Sequence, residues 1–345
     1  MSVTEDTAHD RGTDAVLARN RALFEPALRA AVDSLSPAVR PVAAYHFGWV
    51  DQDGNPSHAD SGKAIRPTLA LLSAEAVGAP PASAVPAAVA VELVHNFSLL
   101  HDDVMDGDTT RRHRPTAWTV FGSNTAILAG DALLTLALDV LAASRGEAAQ
   151  DALRTLSAAV LELINGQRAD LDFEERRDVG LDECVRMAEG KTSALLGCAC
   201  AIGAAYGGGG DRVGALRDFG SSFGTAFQHV DDLLGIWGRP DATGKPVYSD
   251  LRSRKKTLPV VAALRSGTPA GNELADLYLG DRELSDAEVA RAADLVEAAG
   301  GRRWSAEQAD TLLDRALGAL RSADLAPRPV EELGALARFA VHRTH

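Results

Sequence analysis

The chain has 345 residues, of which 46% are apolar and 24% charged, and its formal net charge is −13 at pH 7. This length suffices for one large core or two smaller ones, and the acidity argues against nucleic acid or an anionic membrane as partner. An anionic substrate would need a local cluster of Lys, Arg or metal ions. The three cysteines, with Cys198 and Cys200 in an apolar stretch, form no disulfide framework or zinc spacing, so we expect a reducing, cytoplasmic environment.

Residues 1–12 are polar and lack the basic and apolar regions of a signal peptide, and we expect a disordered tail before one domain of residues 13–345. A first helical pattern follows, and turn residues predict a polar loop over 48–62. Longer helical patterns are expected at about residues 65–77, 82–106, 125–144, 148–175, 181–205, 211–237 and 253–266, with two or three more beyond residue 281. Alternating strand patterns are not convincing, and we find no apolar run of membrane-spanning length. We therefore predict an all-α fold built as a single large helical bundle.

The first acidic motif lies at the end of a predicted helix. Asp102 and Asp106 are four residues apart, so both carboxylates leave the same helix face, whereas Asp103 is rotated by about 100°. The preceding run, 91–100, is largely apolar. A merely solvated helix end does not require paired aspartates behind such a run, so we interpret the motif as functional.

The second acidic motif also places its polar side chains on one face of a predicted helix. Gln228, Asp231 and Asp232 lie at spacings of three and four on one helix face, again after an apolar run. Mg²⁺ takes few protein carboxylates and completes its shell with water and phosphate oxygens. The two motifs therefore predict a magnesium site in a shared cavity.

Basic residues follow or flank both motifs in short clusters. These residues are Lys63, Arg66, Arg111, Arg112, Lys191, Lys245, Lys255 and Lys256. Arg gives bidentate contacts to phosphate and Lys gives a point charge. A single surface Lys is usually only solvated, but beside two magnesium motifs these clusters predict recognition of a pyrophosphate group.

Over roughly residues 63–259 these features resemble the trans-polyprenyl diphosphate synthase family, which includes the farnesyl and geranylgeranyl diphosphate synthases. The segments that carry the resemblance are Gly62–Pro67, His95, Asp102–Asp106, Thr110–Arg112, Gln167 with Asp170, Phe227–Asp232, Thr243–Lys245, Asp250 and Lys255. The resemblance implies the helical bundle of the isoprenoid synthases around a central cavity. It also implies a homodimer that joins isopentenyl diphosphate to an allylic diphosphate.

The resemblance further implies roles for individual residues. Three Mg²⁺ ions on the allylic diphosphate would be held by Asp102, Asp106 and Asp231. The charge of that diphosphate would be shared by Arg111, Lys191, Lys245 and Lys255. Isopentenyl diphosphate would be bound by Lys63, Arg66, His95 and Arg112. Thr192 and Gln228 would lie beside the allylic cation. For Gln167, Asp170 and Thr192, ordinary helix capping or packing is an equal alternative. The implied catalytic set is Asp102, Asp106, Arg111, Lys191, Asp231 and Lys245.

Three positions depart from the family pattern. Gly235 stands where the second motif usually ends in a third aspartate, and glycine has no side chain to bind metal. Ser61 and Ala64 stand where Gly and Arg are more usual, which removes one positive charge near the implied isopentenyl site. We expect weaker binding of the third magnesium ion because of Gly235, and we expect that none of the three departures removes an essential residue.

The resemblance implies that the length of the product depends on the residues just before the first motif. Phe97 lies five positions before Asp102 and Ser98 lies four before, with no insertion inside the motif. One aromatic with a small neighbour resembles the pattern of C20 enzymes, so we predict geranylgeranyl diphosphate as product. Shorter (C10 or C15) and longer products remain alternatives.

Two further alternatives remain open. A class I terpene cyclase shares the fold and the magnesium chemistry but needs no isopentenyl site. The residues that argue against it are Lys63, Arg66, His95 and Arg112. A non-catalytic partner subunit of another synthase is suggested by Gly235. An acidic helical scaffold would not explain the ordered motifs.

Overall fold

The computed structural model describes residues 3–60, 62–144, 146–238, 247–280 and 282–342, with side chains from residue 12 onward. Within these ranges the α-helices are α1 Val3–Asp33, α2 Arg40–His46, α3 Ile65–Ala76, α4 Val85–Met105, α5 Ala117–Phe121, α6 Ser123–Ala143, α7 Ala148–Glu175, α8 Leu181–Ala188, α9 Ala194–Tyr206, α10 Arg212–Trp237, α11 Ser249–Arg252, α12 Leu258–Leu264, α13 Pro269–Tyr278, α14 Asp286–Ala298, α15 Gly301–Arg321 and α16 Pro327–Val341. A 3₁₀ turn, Pro81–Ala84, precedes α4. The predicted all-α class is confirmed.

The strand content of the described residues is one short hairpin and an isolated bridge. Strands β1 (Thr110–Arg111) and β2 (Arg114–Pro115) pair antiparallel, and Val50 bridges to Pro56 within the predicted loop. The hairpin directly follows the first acidic motif. It therefore sets the direction of the arginines that come after that motif.

Helix boundaries differ from the predictions where local turns compete with the periodicity. A π-helical turn, Glu189–Ser193, interrupts the helix predicted over 181–205. Helix α13 was not predicted. It begins where the hydroxyl of Thr268 accepts a hydrogen bond from the Gly271 N–H and Pro269 fixes the first turn.

The N-terminal segment extends further as a helix than predicted. Helix α1 begins at Val3, so the backbone from that residue to residue 12 is helical rather than an irregular tail. Residues 1 and 2 lie outside the described residues. The division into a tail of residues 1–12 and one domain of 13–345 remains a prediction.

The chain forms two compact units. The first comprises Met1–Ala158, Cys198–Arg217 and Ser322–Ala335. Helix α4 forms much of its core, with residues 87–94 buried. Helices α3 and α9 approach closely, because a Cβ on Gly203 would lie 2.6 Å from the Ala70 Cα. This unit contains the first acidic motif.

The second unit comprises Ala159–Gly197, Asp218–Arg321 and Leu336–His345. One apolar cluster surrounds the fully buried Tyr278, and another packs α8 against α12 around Cys184 and Leu258. Burial raises the pKa of the Cys184 thiol well above its usual range, which fits a structural cysteine. This unit contains the second acidic motif.

Two helical segments are long and apolar enough to cross a membrane when only length and composition are considered. They are Pro81–Met105 and Ser123–Ala143. The prediction that no apolar run reaches this length is therefore wrong. The first segment is mostly buried within the protein, and buried core helices of water-soluble proteins have the same composition. The absence of a membrane span remains a prediction.

Candidate active site

The first acidic motif lies at the end of helix α4, and its three aspartates differ in how far their side chains are exposed. The side chain of Asp106 is exposed and that of Asp102 is partly exposed, whereas Asp103 is only 1% exposed. The Asp106 N–H donates to the Asp102 carbonyl at 2.8 Å, so the helical turn that brings both residues to one face is formed. Two carboxylates of this motif are therefore accessible to a cation.

The buried Asp103 has a different role. Its Oδ1 accepts a 2.7 Å hydrogen bond from Nε of Arg111, and Nη2 of Arg111 lies 2.7 Å from the same oxygen in an ion pair. Burial raises the pKa of Asp103, and the Arg111 guanidinium opposes that shift. Asp103 thus orients Arg111. This role of Asp103 was not predicted from the sequence, although its rotation away from the other two aspartates was the available signal.

The β1–β2 hairpin is anchored through Arg114. Its guanidinium donates to the carbonyls of Tyr45 at 3.1 Å and Val50 at 3.2 Å, and it lies 4.4 Å from the centre of the Tyr45 ring. The tip of the hairpin, including Arg112, adopts a left-handed backbone conformation. A Cβ on Gly62 would come within 2.6 Å of the Arg112 Nη2, so this glycine leaves the space that the guanidinium occupies.

The residues predicted to bind isopentenyl diphosphate lie in the first of the two compact units. Arg66 Nη1 is 3.3 Å from His95 Nε2. Burial lowers the pKa of His95 well below its usual range, and the charges of Arg66 and Arg112 lower it further, so the imidazole is neutral. Lys63 is exposed and lies just before α3. Arg66 and Arg112 are therefore close enough to His95 for their charges to act on its imidazole.

A buried carboxylate that the sequence analysis missed faces these arginines. Glu92 is 6% exposed, lies one turn before His95 on α4, and accepts a 3.1 Å hydrogen bond from the Asn96 amide. Burial raises the pKa of Glu92, and the charges of Arg66 and Arg112 oppose that shift. The signal was a lone carboxylate within the apolar run 91–94, where an unpaired charge would be costly.

In the second unit, Asp232 is 7% exposed, whereas Asp231 is partly exposed. Asp232 accepts hydrogen bonds from the Leu258 N–H at 2.8 Å and from the Gln228 amide at 2.7 Å. Burial raises the pKa of Asp232 to about 7. Asp232 thus holds the start of α12 and orients Gln228, which leaves Asp231 as the accessible carboxylate of the pair.

The π turn places Lys191 and Thr192. A Cβ on Gly166 would lie 2.9 Å from the Lys191 Cα, so α7 and the turn require glycine at their closest approach. Thr192 Oγ1 donates to Gln228 Oε1 at 2.5 Å, which extends the hydrogen-bond chain from Asp232. Turns of this kind are frequent at functional sites.

Asp170 brings two of the predicted lysines together. Its Oδ2 lies 2.6 Å from Lys191 Nζ and 3.4 Å from Lys255 Nζ. Burial alone would raise the pKa of Asp170, but the two lysines together lower it below its usual value. Gln167, one turn earlier on α7, is also buried.

The remaining residues that the sequence predicts for the site either lie outside the described ranges or make contacts within the fold. Lys245 and Ser61 lie outside the described residues. Lys256 is buried and donates to the Glu174 carbonyl at 2.9 Å, which is a structural contact. Phe97 is buried with its ring centre 4.8 Å from that of His101, and Ser98 Oγ donates to the His95 carbonyl at 2.8 Å.

The carboxylates present fit Mg²⁺ bound together with a diphosphate. In the ranges that the structure describes, no three or more His, Cys, Asp or Glu side chains form a cluster able to hold a metal by themselves. Mg²⁺ usually takes one or two carboxylates and completes its shell with water and substrate phosphates. Asp102, Asp106 and Asp231 keep accessible carboxylates, whereas Asp103 and Asp232 are buried and accept hydrogen bonds. The cavity shared by the two motifs remains a prediction.

The helices carry accessible aspartates, and they carry arginines and lysines that are paired with buried carboxylates. This arrangement is expected of an enzyme that acts on diphosphates. Residues 49–296 match the family model described as polyprenyl synthetase, and the chain belongs to this family. Its members among the curated relatives are prenyl diphosphate synthases, so the chain is a trans-prenyltransferase.

Individual relatives cover nearly the whole chain. It is 50% identical over 337 residues to a (2E,6E)-farnesyl diphosphate synthase of Mycobacterium tuberculosis, covering 96% of this chain and 94% of that protein. It is 46% identical over 315 residues to a geranylgeranyl diphosphate synthase of the same organism, covering 91% and 90%. The crystal structure of a polyprenyl synthetase from Streptomyces coelicolor superposes with a TM-score of 0.91 at 52% identity, covering 95% and 99%. Since the two named products differ, similarity leaves the product length undecided.

Proposed function

We propose that the chain is a magnesium-dependent geranylgeranyl diphosphate (C20) synthase that condenses isopentenyl diphosphate with an allylic diphosphate. The observation that carries the proposal is the fixed position of Phe97 on α4, just before the first acidic motif. Its ring packs against His101, and His101 Nε2 lies 3.0 Å from the Ile127 carbonyl. A Cβ on Gly130 would clash with the imidazole, so α6 holds His101 closely. The aromatic ring thus has little freedom to move away from a growing chain.

In the first unit, the proposed role of Arg66, Arg112, His95 and Lys63 is to bind isopentenyl diphosphate. The two guanidinium groups supply bidentate contacts to phosphate oxygens. The neutral imidazole of His95 adds a hydrogen bond without a further charge. Arg111, held by Asp103, faces the allylic diphosphate beside Asp102 and Asp106 in this proposal. Fixing both substrates lowers the entropic part of the activation barrier.

In the second unit, the proposed role of Lys191 and Lys255 is to share the charge of the departing pyrophosphate, with Lys245 as a third cation. Asp170 holds the first two lysines in place before substrate arrives. Three Mg²⁺ ions bound at Asp102, Asp106 and Asp231 would act as Lewis acids that stabilise the charge on the leaving group. The Thr192 and Gln228 dipoles would lie beside the allylic cation.

A C15 product is the second candidate, because the 50% identical relative is named a farnesyl diphosphate synthase. The C20 and C15 proposals are distinguished by incubating the purified chain with Mg²⁺, isopentenyl diphosphate and dimethylallyl, geranyl or farnesyl diphosphate in turn. Accumulation of a C20 alcohol after dephosphorylation is the expected result. A C15 end product would replace this proposal with the second one. Product formed by the purified chain alone, and only with isopentenyl diphosphate, would exclude both a terpene cyclase and a non-catalytic subunit.

The proposal includes a homodimer and a cytoplasmic location. Helix α6 exposes Ile127 and Leu128 next to each other, which supports an apolar contact with a second copy. Light scattering of the purified chain is expected to give twice the mass of one chain, and Leu128→Arg is expected to give monomers. A monomeric unmodified chain would contradict this part of the proposal without affecting the product assay.

A further inference from the structure

The buried hydroxyl of Tyr278 joins the end of α13 to the segment 250–255, which precedes α12. It donates a hydrogen bond to the Lys255 carbonyl at 2.9 Å and a longer one to the Asp250 carbonyl at 3.3 Å. Tyr278 is 1% exposed, and burial raises the pKa of its phenol well above the usual range. The phenol therefore stays protonated and remains a donor, so one hydroxyl contacts both ends of the segment.

This segment has little regular structure of its own. Helix α11 is a single turn of four residues, and Tyr248 before it and Arg254 after it both have left-handed backbones, with φ of 62° and 54°. This conformation is unfavourable for a residue other than glycine, and it persists where the surrounding structure fixes it. Arg254 donates to the carbonyls of Tyr278 and Arg282. Tyr278 thus contacts the segment through both its hydroxyl and its carbonyl.

The residue held by this hydroxyl carries one of the two cations at Asp170. Lys255 Nζ lies 3.4 Å from Asp170 Oδ2, and the Lys255 side chain is 36% exposed. Lysine has a long flexible stem, so the direction of its ammonium group depends on where the backbone places the start of that stem. Lys191 approaches the same carboxylate oxygen at 2.6 Å from the π turn, where Gly166 allows the close approach of α7. Loss of the Tyr278 hydroxyl would therefore act on Lys255 and leave Lys191 in place.

We infer that Tyr278 is a positioning residue for the pyrophosphate site of the second unit, and that its hydroxyl fixes the backbone from which Lys255 reaches the substrate. The inference rests on the function proposed above, in which Lys255 shares the charge of the departing pyrophosphate. The role is indirect, because the hydroxyl acts on the main chain of Lys255. A lysine that is already fixed loses less conformational freedom when it binds an anion, so the contact is expected to favour substrate binding.

Steady-state kinetics of Tyr278→Phe, which removes only the hydroxyl, test the inference with geranyl and isopentenyl diphosphate. The KM for geranyl diphosphate is expected to rise about five- to tenfold, while the KM for isopentenyl diphosphate stays within about twofold of that of the unmodified chain. A general loss of structure would raise both values. Tyr248→Phe is the matched control, because Tyr248 packs against the same apolar cluster, and it is expected to leave both KM values unchanged.

A double-mutant cycle with Lys255→Met shows whether the effect passes through Lys255. Once the ammonium group is gone, Tyr278→Phe is expected to change the KM for geranyl diphosphate by less than about twofold. Thermal unfolding checks that each variant is folded at the assay temperature. If Tyr278→Phe does not fold, Arg254→Met, which removes the contact at the Tyr278 carbonyl, takes its place in the cycle.

An unchanged KM for geranyl diphosphate in the folded variant would overturn the inference. Equal rises for both substrates, or the same fold-change with and without the Lys255 ammonium group, would overturn it as well. Absence of condensation by the unmodified chain would instead overturn the function proposed above.

Discussion

Arg111 Nε donates a 2.7 Å hydrogen bond to Oδ1 of the buried Asp103, and Arg111 Nη2 lies 2.7 Å from the same oxygen in an ion pair. The pair shows that the first acidic motif contains two kinds of aspartate. Asp102 and Asp106 are accessible for a cation, whereas Asp103 orients the arginine that follows the motif. Charge-assisted bonds of this length are among the stronger hydrogen bonds in proteins, so the orientation is maintained before substrate binds.

Asp103→Asn is expected to lower kcat/KM for the allylic substrate roughly tenfold, or about 1.4 kcal/mol, because Arg111 loses its charged partner. The Mg²⁺ concentration that gives half-maximal activity is expected to stay unchanged, since Asp103 orients a cation rather than binding the metal. Steady-state kinetics at varied Mg²⁺ measure both quantities, with the exposed Asp151→Asn as control. A large rise in the required Mg²⁺ would show that Asp103 is a metal ligand instead.

Glu92→Gln is expected to destabilise the chain, because Arg66, Arg112 and Arg21 then face one another without their shared carboxylate. Bound isopentenyl diphosphate returns negative charge to that place, so it is expected to raise the melting temperature more in this variant than in the unmodified chain. Thermal unfolding with and without isopentenyl diphosphate measures the difference. Glu162→Gln, an exposed position, serves as control. Equal ligand-induced shifts in both proteins would remove Glu92 from the substrate site.

Acid is expected to destabilise the chain through His46. Burial lowers the pKa of His46 to about 3, and the charges of Arg112, Arg111 and Arg114 add to that effect while the neighbouring Asn96 side chain opposes it. The unfolded imidazole titrates near 6.5, so between about pH 6.5 and 3 the unfolded state binds the extra proton. The free energy of unfolding therefore falls as the pH decreases through this window, by roughly 2 kcal/mol at pH 5 for this group.

Urea unfolding at pH 7.5 and pH 5 measures this loss. His46→Gln is expected to show a smaller loss than the unmodified chain, since it removes one of the histidines that stay neutral. The exposed His58→Gln is the control and is expected to match the unmodified chain. A loss in His46→Gln as large as that of the unmodified chain would contradict the assignment.

Much of the architecture is predictable from local sequence patterns. The span of α7 matches the predicted 148–175, because its apolar residues keep a helical period over many turns. Spacings of three and four place Asp102 with Asp106 and Gln228 with Asp232 on common helix faces without any tertiary information. The all-α class follows from the same patterns.

The rest depends on contacts between residues far apart in sequence. Asp170 meets Lys255 across 85 positions, and nothing in the local sequence of either residue indicates the pair. The π turn before α9 is stabilised by the close approach of α7, so the periodicity of 181–205 alone predicts one continuous helix. The approach of the Asp250 carboxylate to Gly235 is likewise visible only in the folded chain.

Two substitutions before the first motif are expected to change the product in opposite directions. Phe97→Ala removes the aromatic ring held by His101 and is expected to lengthen the product beyond C20. Ser98→Phe adds a second aromatic and is expected to shorten it to C15. Their effect on stability is monitored by thermal unfolding, because both positions are buried.

The most direct test of the proposed function is the chain-length distribution of the products of the unmodified chain beside those of Phe97→Ala, each with Mg²⁺, isopentenyl diphosphate and farnesyl diphosphate. The proposal predicts a C20 end product for the unmodified chain and longer products for the variant. An unmodified chain that fails to extend farnesyl diphosphate, or a folded, active variant that still stops at C20, would contradict it.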